Sequence, residues 1–216
     1  MPPSAFLTNI TGHKRLYKLG IYHCDISDGN LMFIRKDHHT FGILIDFDLA
    51  VIADLPSKNK RRTGTRPFMA IDLLIKAGPI VRHYKHDAES FFWVVVYDTA
   101  CNGSVNQWSL LPNSTLRAEK MGYLGLGTEV LPMREKHTST VSWIEKVRKF
   151  LAREYYGGMA KQDFGIDELY NTLRELRDDQ GETLAARIET RQAELRDYWR
   201  AAEGSEGSSK IESAYS

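Results

Sequence analysis

Two short apolar runs, Leu31-Met32-Phe33-Ile34 and Gly42-Ile43-Leu44-Ile45, flank a polar stretch holding Arg35, Lys36, Asp37 and two histidines. Each run has the length of a strand, and the polar stretch between them suits a turn, so the pattern predicts a small β-hairpin. Antiparallel pairing sets the residue before the first strand beside the residue after the second. Asn30 and Asp46 are therefore expected as neighbours at one open end. An amide oxygen and a carboxylate are hard donors, the kind a small divalent cation shares with water and phosphate oxygens.

Around this hairpin the chain reads as helix. Residues 10–19 form a short helix that stops at Gly20, a residue suited to the left-handed turn of a helix end. Asp87 opens a strongly apolar segment, and Phe91 to Tyr97 is predicted as a buried central helix, with a strand reading left open by its β-branched run. A carboxylate there could accept the free amides of the first turn. Ile144, Val147, Leu151 and Tyr155 recur at helical spacing, as do Ile166, Leu169, Tyr170, Leu173 and Leu176, and then Leu184, Ile188, Leu195 and Trp199. The expected fold is mainly α with a small β-hairpin, one domain over residues 1–202, followed by a disordered Gly/Ser-rich tail over 203–216. Leu49 to Ala70 reads as an exposed loop with the basic run Lys58 to Arg62.

Composition narrows the function classes. The 29 Lys and Arg nearly cancel the 28 Asp and Glu, so no global field points to nucleic acid or a membrane surface. The longest apolar run, Phe91 to Tyr97, is far short of the roughly 20 residues that span a bilayer. Cys24 and Cys101 cannot build a disulfide framework, and the first residues lack a signal peptide's pattern, so an intracellular protein, cytoplasmic or nuclear, is expected. His83 and His86 with distant Cys101 lack finger spacing for zinc. Gly122, Gly125 and Gly127 run in the wrong order for a nucleotide loop.

Three motifs follow in order: His23-Cys24-Asp25 with Asn30 five residues after the Asp, Asp46-Phe47-Asp48, and Gly64-Thr65-Arg66-Pro67-Phe68-Met69-Ala70-Ile71-Asp72. Together they resemble the catalytic loop, metal-binding triplet and substrate-loop end of protein kinases. The likeness is closest to the fungal-type protein kinase family, on His23-Cys24-Asp25-Ile26-Ser27, Leu44 to Ala50, Arg62 to Ala70 and His86 to Trp93. It implies a Ser/Thr protein kinase fold using ATP and Mg²⁺. Asp25 would be the catalytic base with Asn30 beside it, and Asn30 and Asp46 the metal ligands. Thr65 would seat the protein substrate by bonding Asp25, Asp72 would stand for the usual Glu and pair with an Arg, and Asp87 would anchor the central helix.

Only 22 residues precede His23, too few for the Gly-rich loop, strand Lys and helix Glu that grip ATP. The expectation is thus a C-terminal lobe lacking the N-terminal β lobe, inactive by itself. Cys24 replaces the Arg that clamps a loop phosphate, Ser27 a Lys, and Asp48 a Gly. These departures keep two alternatives open: a pseudokinase-like module that docks a protein partner, and a small-molecule phosphotransferase of the aminoglycoside or choline type.

Overall fold

A computed structural model of the chain describes residues 3–36, 39–53, 63–75, 81–100, 105–127, 131, 138–157, 171–172 and 193. The first helix, α1 (Pro3–Lys18), begins well before residue 10. Its early turns have a partner that local periodicity does not reveal. Ala5, Phe6 and Ile10 are buried, and the helix lies directly on Gly42, where any side chain would collide with the Ala5 carbonyl and the Asn9 side chain. Such a glycine inside a strand marks close backbone approach. The Gly42 amide donates to Thr8 Oγ1 at 2.5 Å, and Asn9 Nδ2 to the Met32 carbonyl at 3.3 Å. The helix ends at Gly20, whose φ is 73°.

The predicted hairpin is present. Strand β2 (Leu31–Lys36) pairs antiparallel with β3 (His39–Leu44), and Leu31 sits opposite Leu44. A second, unforeseen pairing joins β1 (Ile21–Tyr22) to β4 (Val51–Ile52), which closes the chain on both sides of the hairpin. The segment from Leu49 to Ala70 is consequently not one exposed loop. It begins in β4, and Pro67, Phe68, Met69 and Ala70 near its end are buried. The basic run Lys58 to Arg62 lies outside the described residues.

Helix α2 (Tyr84–Thr99) is the axis of the core. Phe91, Phe92, Trp93, Val94 and Val96 point in every direction around it and all are buried, the mark of a helix enclosed on all sides. Burying one such aromatic stabilises the fold by about 2–3 kcal/mol. The strand alternative fails because the Val run is surrounded instead of facing one layer. At its start the His83 amide donates to His86 Nδ1 at 3.1 Å, a capping contact. Helix α3 (Asn113–Leu126) packs on the short turn Ile71–Leu74, and α4 (Thr138–Tyr156) packs on α2 and α3. Ile144, Val147 and Leu151 are buried, with Tyr155 packed beside them. Gly122 to Gly127 belong to the end of α3. No helix among the described residues is long and apolar enough to cross a membrane. The expected later helices, apart from helical residues 171–172 and 193, lie outside the described residues, as do Cys101 and the tail.

Candidate active site

Between β1 and β2 the chain must turn sharply, and it does so through Cys24 at φ 66°. This left-handed conformation is uncommon for a residue with a side chain and costs of order 1–3 kcal/mol unless the surroundings impose it. Asp87 imposes it. One carboxylate oxygen, Oδ2, accepts the His23 amide at 2.8 Å and the ring of buried His13 lies 3.0 Å away, while Oδ1 accepts the Cys24 amide at 3.1 Å. Asp87 is the fourth residue of α2, so it serves the loop and not the helix's own first-turn amides, contrary to the sequence expectation. Burial opposes its charge, yet the hydrogen bond and charge of His13, the charge of Arg82 and the Cys24 amide together hold its carboxyl below the usual range.

The turn presents Asp25 at the surface. Its Oδ1 accepts both the amide of Thr65, at 2.7 Å, and the Thr65 hydroxyl, at 2.8 Å. From the other side Asn30 Nδ2 donates to the Asp25 carbonyl at 2.9 Å and to Oδ2 at 3.3 Å. Asp25, Asn30 and Thr65, chosen from the sequence, are thus brought into one bonded group. A small open cleft beside them is lined by Asp25, Thr63, Thr65, Arg82 and Ser90 among others.

Asp46 follows β3 at the hairpin mouth. The Ile45 amide donates to the Asn30 carbonyl at 3.2 Å, which makes Asp46 the next residue beyond the pair. Like Cys24 it has positive φ, 63°, a conformation Asp tolerates better than most residues. Behind it, Phe47 packs on the His23 ring at 4.7 Å. The His23 Nε2 is 3.0 Å from the Ile45 carbonyl, and burial, first among several causes, pushes that imidazole's pKa down. The donor set suits Mg²⁺: Asn30 spends its NH₂ on Asp25, which leaves Oδ1 as a hard oxygen, and the exposed Asp46 carboxylate has no bond among the described residues. No group of three or more His, Cys, Asp or Glu side chains among the described residues could hold a metal. Bound nucleotide phosphates and water would have to complete a cation's shell.

The loop from Thr63 to Asp72 is tied down along its whole length. Gly64 passes the Cys24 carbonyl at φ 126°, where an added Cβ would lie 3.2 Å from that oxygen. Arg82 donates to the Thr63 carbonyl and, at 3.0 Å, to its hydroxyl. Asp72 finds Lys85 Nζ at 2.6 Å and not the expected Arg. The shorter side chain cannot reach far, and the first turn of α2 brings a lysine to it. Ile71 donates its amide to Glu89 Oε1 at 2.9 Å. Lys85 and Glu89 are four residues apart on α2 and share a face, whereas Asp87 points the other way. One face of α2 therefore holds the Ile71–Asp72 segment and the opposite face holds the His23–Cys24 turn. Sequence reasoning missed Lys85, Glu89, His13 and Arg82. The only signal was their charge inside or beside an apolar run.

The thiol of Cys24, in the place of an arginine, is buried. Burial, with the neighbouring Asp87 charge, pushes it up to about 12, so it offers neither a cation nor a reactive thiolate at neutral pH.

Residues 4–99 match the family model described as fungal protein kinase. That span contains Asp25, Asn30, Asp46, Thr65, Asp72 and Asp87, and the match supports the family likeness drawn from the motifs. No curated protein matches the chain.

Proposed function

We propose, with the fungal protein kinase match over residues 4–99 as premise, that this chain supplies the catalytic and substrate-seating part of an ATP-dependent Ser/Thr protein kinase. Asp25 is the base that receives the proton of a Ser or Thr hydroxyl on a protein substrate. Asn30 Oδ1 and the Asp46 carboxylate would hold Mg²⁺, which would neutralise phosphate charge while ATP gives up its γ-phosphoryl group and leaves as ADP. One observation carries the reading: the Thr65 amide and hydroxyl both converge on Asp25 Oδ1, at 2.7 and 2.8 Å. A loop bonded to the base seats a peptide hydroxyl beside it, which a small-alcohol phosphotransferase does not require.

A binding role is the second reading. Met32 and Ile43 are cross-strand partners and Ile34 follows on the same hairpin face, and all three are more than a third exposed. Apolar side chains grouped in this way favour a protein partner.

The test joins the chain to a nucleotide-binding lobe and offers ATP, Mg²⁺, a Ser/Thr peptide library and a panel of amino alcohols. Peptide phosphorylation is expected, reduced about 10²–10⁴-fold by Asp25→Asn and weakened by Thr65→Val. Turnover confined to amino alcohols and indifferent to Thr65→Val would overturn the protein-kinase reading. No turnover, with a protein partner lost on Met32→Lys/Ile43→Lys, would favour binding.

A further inference from the structure

Glu89 on α2 and Lys120 on α3 are both 0 % exposed. Glu89 Oε1 accepts the Ile71 amide at 2.9 Å and the Trp93 indole N–H at 2.8 Å, and its Oε2 accepts the Tyr155 hydroxyl at 2.5 Å. Lys120 Nζ donates to the Met69 carbonyl at 2.5 Å and sits 4.5 Å from the centre of the Trp93 ring and 5.6 Å from that of Trp108. Trp93 thus gives its N–H to the anion and its ring face to the cation. Burial, opposed by the charge each feels from the other, pushes Glu89 up and Lys120 down to about 7, and the two groups take one amide and one carbonyl of the same three residues, Met69-Ala70-Ile71.

Taking charges out of water is expensive, and an apolar pair would fill this space at lower cost. Each charge spends a hydrogen bond on the backbone of this segment, Lys120 on Met69 and Glu89 on Ile71, while Trp93 and Tyr155 hold the Glu89 carboxylate in place. The grip also reaches Thr65. A short helical turn connects the two places: the Phe68 amide donates to the Thr65 carbonyl at 2.9 Å and the Met69 amide to the Arg66 carbonyl at 3.2 Å. The outer tie from Asp72 to Lys85 is partly solvated at its carboxylate, 25 % exposed, and such pairs hold weakly.

We infer that Glu89 and Lys120 are positioning residues: they fix Met69 and Ile71, and through the turn they hold Thr65 against Asp25. The functional meaning rests on the substrate-loop reading above, but the positioning itself is testable without substrate. Amide hydrogen exchange on the 216-residue chain reads it directly, comparing Thr65, Met69 and Ile71 with Met32 and Ile43 in the hairpin.

In Lys120→Met, exchange at the three loop amides is expected to rise about tenfold or more while the hairpin amides stay unchanged. Glu89→Gln keeps an acceptor of the same size but leaves Lys120 without its counter-charge, and a smaller rise confined to the loop is expected. The double variant removes both charges at once and should recover protection at Ile71 relative to Lys120→Met, a coupling that mere space-filling does not produce. Wild-type loop exchange in Lys120→Met, or loop and hairpin rising together in both single variants, or additive effects in the double variant, would overturn the inference. Should Lys120→Met fail to fold, Glu89→Gln decides it alone, by the loop against the hairpin. No substrate enters this readout, so failure of the kinase reading and failure of the positioning claim are separate results.

Discussion

The carboxylate of Asp87 holds the amide of Cys24 at 3.1 Å while Cys24 sits at φ 66°. A conformation the chain would otherwise avoid is kept because a buried acceptor repays it with hydrogen bonds.

Asp87→Asn should therefore be costly. The amide's NH₂ would face backbone donors in place of an acceptor, leaving at least one buried group unsatisfied, so a loss of about 2–4 kcal/mol is expected. Urea unfolding followed by fluorescence measures it. A midpoint unchanged from wild type would show that the loop holds its turn without Asp87.

Cys24 should be inert until the protein unfolds. With its thiol at about 12 against 9.0 for an exposed one, the thiolate fraction near pH 8 falls about a thousandfold. Alkylation of a Cys101→Ser variant by iodoacetamide should be slow in buffer and rapid in urea. Linkage adds a pH effect. Above pH 9 the unfolded thiol gives up its proton while the folded one keeps it, so this group's stabilisation is lost as pH rises from about 9 towards 12. Equal alkylation rates in both conditions would refute the burial argument.

His86 sets an opposite dependence. Burial, with the charges of Lys85 and Arg82 adding to it, pushes the imidazole from 6.5 down to about 3. Between those values the unfolded chain binds a proton that the folded one refuses. Stability should fall as pH drops below 6.5, by up to about 1.4 kcal/mol per pH unit. In His86→Gln, which retains an acceptor for the His83 amide, that part of the slope should vanish, and an unaltered slope would assign it elsewhere.

Two oxygen ligands bind Mg²⁺ poorly without nucleotide phosphates held beside them. Calorimetry on the 216-residue chain should give no saturable Mg²⁺-ATP binding below about millimolar, and no phosphoryl transfer should accompany it. Tight binding abolished by Asp46→Ala would show that the residues around Asp46 hold the nucleotide and its metal unaided. Tight binding that survives Asp46→Ala would place the metal site elsewhere.

That Asn30 and Asp46 both lie at the hairpin mouth was legible because two apolar runs define the hairpin, but the register sets Asn30 opposite Ile45 and leaves Asp46 one residue beyond. Thr65 could be paired with Asp25 only through the family likeness, since 40 residues separate them. Lys120 could not be found at all. Its partner is a carbonyl 51 residues away, and a lysine between Glu119 and Met121 has the spelling of a solvated helix face. The early start of α1 was hidden for a similar reason: what stabilises Pro3 to Asn9 is Gly42, not any capping signal of its own. Asp72 pairs with Lys85 and not with the Arg that the likeness implied, because its partner depends on which residue the start of α2 presents.

Because Lys85, Asp87 and Glu89 alternate within little more than one turn of one helix, the two loops share a single angular reference. Inserting one residue ahead of Asp87 would rotate the following residues about 100° relative to the preceding ones. Glu89 would then leave Ile71 at the same moment that Asp87 leaves Cys24. The region should consequently tolerate length changes in the surrounding loops far better than in this helix, where one inserted codon disassembles both halves of the site together.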